Sequence, residues 1–293
     1  MSWFPLEYGH GDLLRYLAPV PKNTESLHLT KLRGYPIKIY YNPKTYMGQM
    51  LFYRGIYEER YVKTCYNLLE EGMVFVDIGA NYGLYSLIAS KKVGERGKVI
   101  AFEPQSNLVP IINKSVKENS FTNVTVVHSA VGDCKKKTML FQPSATNNGE
   151  ATLSLGTDQN VGYASKESEE VPVDRLADLL KHQNVEHVHG MKMDIEGAEF
   201  TVLKNSEPFF RNAEPHFLLV ECIETHLKRF GHSCTDVFTF LQDNGYRLTS
   251  RCWGRWIPFT NYTEFKEKTR STPNVVAVHP STEVWKKAER FFR

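Results

Sequence analysis

The acidic residues of this chain fall at positions where they could do chemistry. Asp77 sits near the end of an apolar run, Val74-Phe-Val-Asp-Ile, and is followed at once by Gly79, Ala80, Asn81 and Gly83. Glu103 closes a second run, Lys98-Val-Ile-Ala-Phe-Glu, twenty residues beyond Gly83. A third group, Lys192-Met-Asp194-Ile-Glu196-Gly197-Ala-Glu199, sets three carboxylates and a lysine close together, and Glu221 ends a further apolar run. The first group reads as strand, glycine turn and helix start, a nucleotide-binding corner. A dinucleotide site needs G-x-G-x-x-G so that its backbone can lie against a pyrophosphate. The pattern here is D-x-G-x-x-x-G, with a carboxylate where such a site needs none. It favours a ligand with an ammonium group and no pyrophosphate, S-adenosylmethionine (SAM), over NAD. Glu103, at the tip of the next strand, is placed to accept hydrogen bonds from both ribose hydroxyls.

The third group suits proton transfer or cation binding. Lys192 and Asp194 point to the same sheet face, because side chains alternate along a strand. A lysine in a buried strand is costly unless paired, so one reading is an ion pair holding the strand end. Gly197 permits a tight turn through which Asp194, Glu196 and Glu199 converge. Crowded carboxylates raise one pKa, which suits proton abstraction from a hydroxyl. Asp194 or Glu196 is the expected base, with Glu221 as a structural or metal partner. The same oxygens suit Mg²⁺, with Asp194 and Glu221 as candidate ligands. His226 is a rival base, or else a surface histidine. Ser129-Ala130-Val131 are small enough for their backbone to read an adenine edge.

These residues need elements to position them. From Val74 onward apolar runs alternate with helical patterns: strands at 74–78, 98–103, 124–128, 189–193, 216–221, 246–251 and 274–279, with helices near 82–92, 106–119 and 234–244. The expected fold is therefore α/β, a Rossmann-like seven-stranded sheet with helices on both faces and a final antiparallel hairpin. In such sheets ligands bind outside the carboxyl ends of the strands, where the acids above fall. A further strand is expected at 137–142, and a helix starting at Pro172 with Asp174 near its cap. Two short strands around 26–32 and 37–41, and a helical stretch after 48, precede the alternation. Residues 1–65 are read as an N-terminal cap facing the substrate, and 66–293 as the catalytic domain.

Composition excludes several classes. The chain has 293 residues, 41% hydrophobic and 24% charged, with a formal net charge of +3. No apolar run approaches the roughly 20 residues that span a bilayer, and residues 1–10 lack the pattern of a secretory signal. Lysines cluster at 135–137 and in the tail, without the broad basic stripe of nucleic-acid proteins. The five cysteines include no C-x-x-C pair, so structural zinc and a disulfide framework are not expected, and a cytoplasmic location is.

The blocks Asp77-Ile-Gly-Ala-Asn81, Phe102-Glu-Pro104, Val171-Pro-Val-Asp-Arg-Leu176, Lys192-Met-Asp-Ile-Glu-Gly-Ala-Glu199 and Leu219-Val-Glu221 resemble the FkbM-type methyltransferases, in the same order. The resemblance covers roughly residues 48–225. It implies a class I SAM-dependent methyltransferase fold and O-methylation, often of sugar hydroxyls in glycans or natural products. It also implies that Tyr57 and Glu58, in Gly55-Ile-Tyr-Glu58, face the cofactor or the acceptor. Val173-Asp-Arg-Leu departs from the family pattern, in which an apolar residue or Thr often precedes Leu-Asp, so no role passes to Asp174 or Asp178.

The expected partner is a hydroxyl-bearing small molecule or glycan. The alternative is an RNA ribose 2′-O-methyltransferase, whose Lys-Asp-Lys-Glu tetrad is only half supplied by Lys192 and Asp194. A non-catalytic SAM-binding subunit would lack the acids at the fourth strand. Acceptor recognition is assigned to residues 1–60, 143–168 and 251–272, including Cys252-Trp253-Gly-Arg255-Trp256 on a loop at the site's rim.

Overall fold

A computed structural model describes residues 27–142, 151–154, 168–252, 254–269 and 273–292. The first 26 residues, most of the 143–168 loop and Trp253, all expected to bear on the acceptor, lie outside the described residues.

Strand patterning explains the central sheet. In β3 (Val74–Ile78), β4 (Lys98–Glu103), β9 (Gly190–Met193) and β10 (Phe217–Glu221) nearly every position is buried, as expected where helices cover both faces. Alternate residues serve opposite sides. Phe75, Val99, Phe217 and Leu219 pack with Val62, Leu68, Leu87 and Ile88 on one face. Val76, Ile100, Phe102, Met191, Leu218 and Val220 pack with Leu180, Leu203 and Phe238 on the other. Each such large side chain contributes about 1.5–3 kcal/mol by leaving water.

With β5 (Val124–His128), β11 (Arg247–Cys252), β12 (Arg255–Phe259) and β13 (Asn274–Val278), the sheet order is β12-β11-β13-β10-β9-β3-β4-β5. Strands β10, β9, β3, β4 and β5 pair in parallel, and β13 runs antiparallel between β10 and β11. The seven expected strands all form. The correction is an eighth, β12, in the segment read as a rim loop. Gly254, at φ +82°, lets the chain reverse between β11 and β12, which pair antiparallel. Pro258 lies in this outermost strand, opposite Thr249.

A second correction concerns 168–175. The expected helix start at Pro172 is a strand, β8 (Ser168–Arg175), which pairs with β6 (Ala130–Gly132) and β7 (Lys136–Phe141) as a separate three-stranded sheet. Val171 and Val173 alternate inward against Leu140 and Ala130, and this period of two overrides the capping signal at Asp174. The helix begins later, at Leu176.

Before β3, a hairpin of β1 (His28–Lys31) and β2 (Lys38–Tyr41) leads into α1 (Tyr46–Arg54) and α2 (Glu59–Leu68). Helices α3 (Leu84–Val93) and α4 (Val109–Glu118) follow β3 and β4. The hairpin is tied to α4 and its end, the Tyr40 amide donating to Ser115 Oγ at 2.9 Å and the Lys38 amide to Asn119 Oδ1 at 2.8 Å. Ile37, Ile39, Leu51 and Val62 join the core on that face of the sheet.

Candidate active site

The carboxyl ends of β3, β4 and β9 frame a pocket lined by Gly79, Asn81, Glu103, Gln105, Ser129, Ala130, Asp194 and Glu196, among others. Gly79 makes this approach possible. It sits at φ +79°, and a β-carbon there would lie 2.0 Å from the Asp194 carbonyl oxygen. The turns after β3 and β9 therefore meet backbone to backbone, which only glycine allows.

On the β3–β4 side the acids are engaged by donors. Glu103 Oε2 accepts the Asn81 amide at 2.7 Å and Oε1 the Gln105 amide at 2.9 Å. Burial outweighs these bonds and raises its pKa to about 7. Asp77 is fully buried behind the pocket rather than in its lining; its Oδ2 accepts Ser86 Oγ at 2.6 Å. Burial pushes Asp77 above the usual carboxylate range, against the opposing pull of Lys192. Asp77 Oδ1 and Asn81 Oδ1 are buried acceptors without a hydrogen-bond donor among the described residues. Ser129 Oγ is engaged by backbone, donating to the Ala130 and Pro172 carbonyls. Ala80 and Gly83 shape the turn: Ala80 is buried, and Gly83, at φ +79°, packs against Ile112 on α4.

Lys192 and Asp194 form the expected ion pair, 3.0 Å apart, and Lys192 Nζ also reaches the Gly79 carbonyl at 3.4 Å. Burial disfavours the lysine's charge, but Asp194, Asp77 and Glu58 outweigh it and hold Lys192 above its normal range. Its Nζ lies 5.2 Å from the centroid of the Tyr85 ring. Tyr85 Oη in turn donates to Glu58 Oε2 at 2.8 Å, and Asn274 Nδ2 donates to Glu58 Oε1 at 2.6 Å. Glu58 thus lies near Lys192, its pKa raised chiefly by burial. Tyr57 is pushed well above its usual range, by burial and then by the charges of Glu58, Asp194 and Glu221.

Within this acidic group Glu199, which feels the charge of Asp194, serves the turn itself. Its Oε1 accepts the amides of Ile195 (3.0 Å) and Gly197 (3.3 Å), bracing the turn, and burial raises its pKa to about 7. Glu196 instead meets His226, its Oε2 lying 2.8 Å from Nδ1, and Glu221 Oε2 lies 4.0 Å from the same nitrogen. Gly197 brings this about. At φ +109°, a β-carbon there would lie 2.2 Å from the His226 carbonyl oxygen, so the turn presses directly on the helix Glu224–Lys228. Glu221 is pushed well above the usual carboxylate range, by burial and then by Asp194, Glu196, Glu199 and Glu58. Thr152 Oγ1 donates to the Glu196 carbonyl at 3.2 Å, pinning residues 151–154 over this corner.

Among the described residues, one trio has ligand atoms close enough for a metal, all within 4.8 Å: Glu196, Glu221 and His226. Of the two candidate ligands read from the sequence, Glu221 is in this trio, while Asp194 is not and has its Oδ2 on Lys192 Nζ. A set that includes imidazole suits a transition ion better than Mg²⁺, which prefers oxygen throughout. Sequence reasoning misses Ser86, Tyr85 and Asn274, none of which carries a local signal for its role. His226 is visible as a rival base, but its approach to Glu196 depends on tertiary packing.

Three non-glycine residues of the site, Glu58, Asn81 and Glu196, have positive φ, at 47°, 53° and 56°. Three more, Ser120, Asn184 and Ala213, lie outside the site.

Five parallel strands, an antiparallel β13 beside β10, and acids at the ends of β3 and β4 are the arrangement of a class I SAM-dependent methyltransferase. The Methyltransferase FkbM domain matches residues 77–248, and the chain belongs to that family. It is similar to Methyltransferase sdnD of Sordaria araneosa, 26% identical over 236 residues, covering 69% of this chain and 85% of that one. Methyltransferase 1 of Beauveria bassiana (strain ARSEF 2860) is 23% identical over 207 residues, covering 66% and 80%. The crystal structure of a Methyltransferase FkbM from Methylobacillus flagellatus KT aligns with a TM-score of 0.45 at 14% identity; the match covers 80% of this chain and 50% of that one. No helix among the described residues is long and apolar enough to cross a membrane, and all five cysteines are free.

The residues fit the cofactor. Asn81 Oδ1, an unsatisfied acceptor on a residue of the pocket lining, and the Glu103 carboxylate at the tip of β4 are suited to donor groups of the cofactor, and Asp77 adds a carboxylate behind the wall.

Proposed function

We propose that the protein transfers the methyl group of SAM to a hydroxyl, that of a sugar in a glycan or natural product. The observation that carries this reading is the close approach of Glu196 to His226 beside the cofactor pocket. Bound SAM supplies an electrophilic methyl on sulfonium. In the proposed step the acceptor oxygen forms a bond to that carbon, the carbon–sulfur bond breaks, and the hydroxyl proton passes to Glu196, with His226 against it. Asp194 and Lys192 form the wall between cofactor and acceptor, with Glu58 behind them. Glu103, Asn81, Ser129 and Ala130 hold the nucleoside end, and Asp77 underlies the methionine end. Holding donor and acceptor in line is worth roughly 7–11 kcal/mol in favourable cases. The base adds about 10²–10⁴-fold.

A second reading is favoured by the trio itself: Glu196, Glu221 and His226 would hold a divalent cation that orients the hydroxyl. The test is transfer of labelled methyl from SAM to a panel of glycans and structured RNA, with and without chelator. Label in carbohydrate is expected. Loss of activity with chelator, restored by Mn²⁺ or Zn²⁺, supports the cation. Label in RNA alone overturns the sugar reading.

A further inference from the structure

A second concavity, apart from the cofactor pocket, lies between α2, the β11–β12 hairpin and the C-terminal segment. It encloses about 470 Å³, and its lining includes Arg60, Lys63, Arg251, Arg290, Trp256 and Phe291. This is within the roughly 300–1,000 Å³ typical of small-molecule sites. Four of these side chains are cationic. The one acid in the lining, Glu59, is paired with Arg33, which stands outside it. The lining therefore carries net positive charge, and a concave low-dielectric wall concentrates such a field.

The cations stand beside aromatic rings. The Arg251 guanidinium lies 5.4 Å from the Trp256 ring centroid, and that of Arg290 lies 5.4 Å from Phe291. Trp256 and Phe291 pack together, centroids 4.4 Å apart. Guanidinium groups held against rings present their forked donors in a preorganised way, which suits an oxyanion. An aromatic wall next to them suits the apolar face of a sugar ring.

Position links the groove to the site. Helix α2 begins directly after Glu58, and Arg60, Lys63 and Asn67 descend one face of it, a span of about 10 Å at 1.5 Å per residue. Tyr61 Oη, between them, donates to the Asn274 carbonyl at 3.1 Å, on the residue whose side chain holds Glu58.

We infer that this groove binds an anionic ester group on the acceptor, a phosphate or sulfate carried by a saccharide, with Arg60, Lys63 and Arg290 on the charge and Trp256 against a ring. The inference rests on the sugar-hydroxyl reading above. A short groove favours this over RNA, which would need a basic path along several phosphates.

The test uses the full chain and calorimetric titration with inorganic pyrophosphate, mannose 6-phosphate, mannose 6-sulfate, mannose and a short single-stranded RNA. The charged sugars are expected to compete with pyrophosphate and to bind at least tenfold more tightly than mannose; the stronger of the two identifies the ester. The double variant Lys63→Gln, Arg290→Gln should weaken them at least tenfold, with SAM affinity and Tm unchanged. Equal binding of mannose and its esters, undiminished pyrophosphate binding in the variant, or binding of RNA alone overturns the inference. Methyl transfer separates the two readings. If charged and neutral sugars are methylated with equal kcat/KM and neither value changes in the variant, the groove assignment fails and O-methylation stands. If charged sugars bind through Lys63 and Arg290 but no sugar hydroxyl gains label, O-methylation fails while the anion site stands.

Discussion

The two halves of the site treat their carboxylates differently. At the ends of β3 and β4, Glu103 and Asp77 face donors: backbone amides in one case, Ser86 in the other. At the ends of β9 and β10, Glu196 and Glu221 face His226 and one another's charge, and burial with like charge drives Glu221 far above its usual range. The first arrangement suits holding a ligand's shape. The second suits moving a proton. On the proposed reading, binding and chemistry divide between the β3–β4 edge and the β9–β10 edge, and the division can be tested.

The largest expected effect is on turnover. Glu196→Gln should lower kcat by about 10²–10⁴-fold, the range of general-base catalysis, while the Kd for SAM stays within about threefold, a difference under 1 kcal/mol. An equal loss in SAM affinity would break the division. Gly79→Ala should come next, because it drives a β-carbon into the Asp194 carbonyl. Calorimetric unfolding should show a loss of about 3 kcal/mol, together with loss of SAM binding, since the two turns can no longer meet.

Glu103 and Glu199, both raised to about 7 from 4.5, make stability depend on pH. The folded protein holds their protons more tightly than the unfolded chain. Their favourable contribution is therefore complete below about pH 4.5 and is lost as pH rises through 7. Each contributes on the order of 1–3 kcal/mol over that window. Glu199→Gln should flatten the urea-unfolding profile across the same window; an unchanged slope would show that Glu199 is not the source.

For cofactor affinity the sign reverses. On the proposed reading the ribose hydroxyls bind the ionised form of Glu103, so SAM should bind more weakly as pH falls below about 7. Glu103→Gln should cost about 1.5–3 kcal/mol of SAM binding and remove that pH dependence. The smallest effect serves as a control: Lys38→Ala removes the exposed 2.7 Å pair with Glu118 and should leave both turnover and Tm unmoved.

Much of this is legible in the sequence. The near-continuous apolar runs of β3, β4 and β10 mark buried parallel strands, and each places its acid at the carboxyl edge. Lys192 within a buried strand signals its pairing with Asp194. What stays hidden depends on distant contacts. Asp174 reads as a helix cap because its neighbours permit one, yet Val171 and Val173 find partners in Leu140 and Ala130 far along the chain. Asn274 offers no local hint that it holds Glu58, and no spacing shows that Gly197 seats the turn against His226. The strand β12 escapes notice because Gly254 and Pro258 both read as breakers. One makes the reversal and the other tolerates the edge.

Pro258 also bears on how the molecule behaves in company. The outer margin of a sheet exposes unpaired amides that another chain can join. A proline there removes one donor from the row and interrupts any ladder extending outward. The strand that lends Trp256 to the anion groove thereby discourages edge-to-edge polymerisation, so protection against aggregation comes from the same short segment.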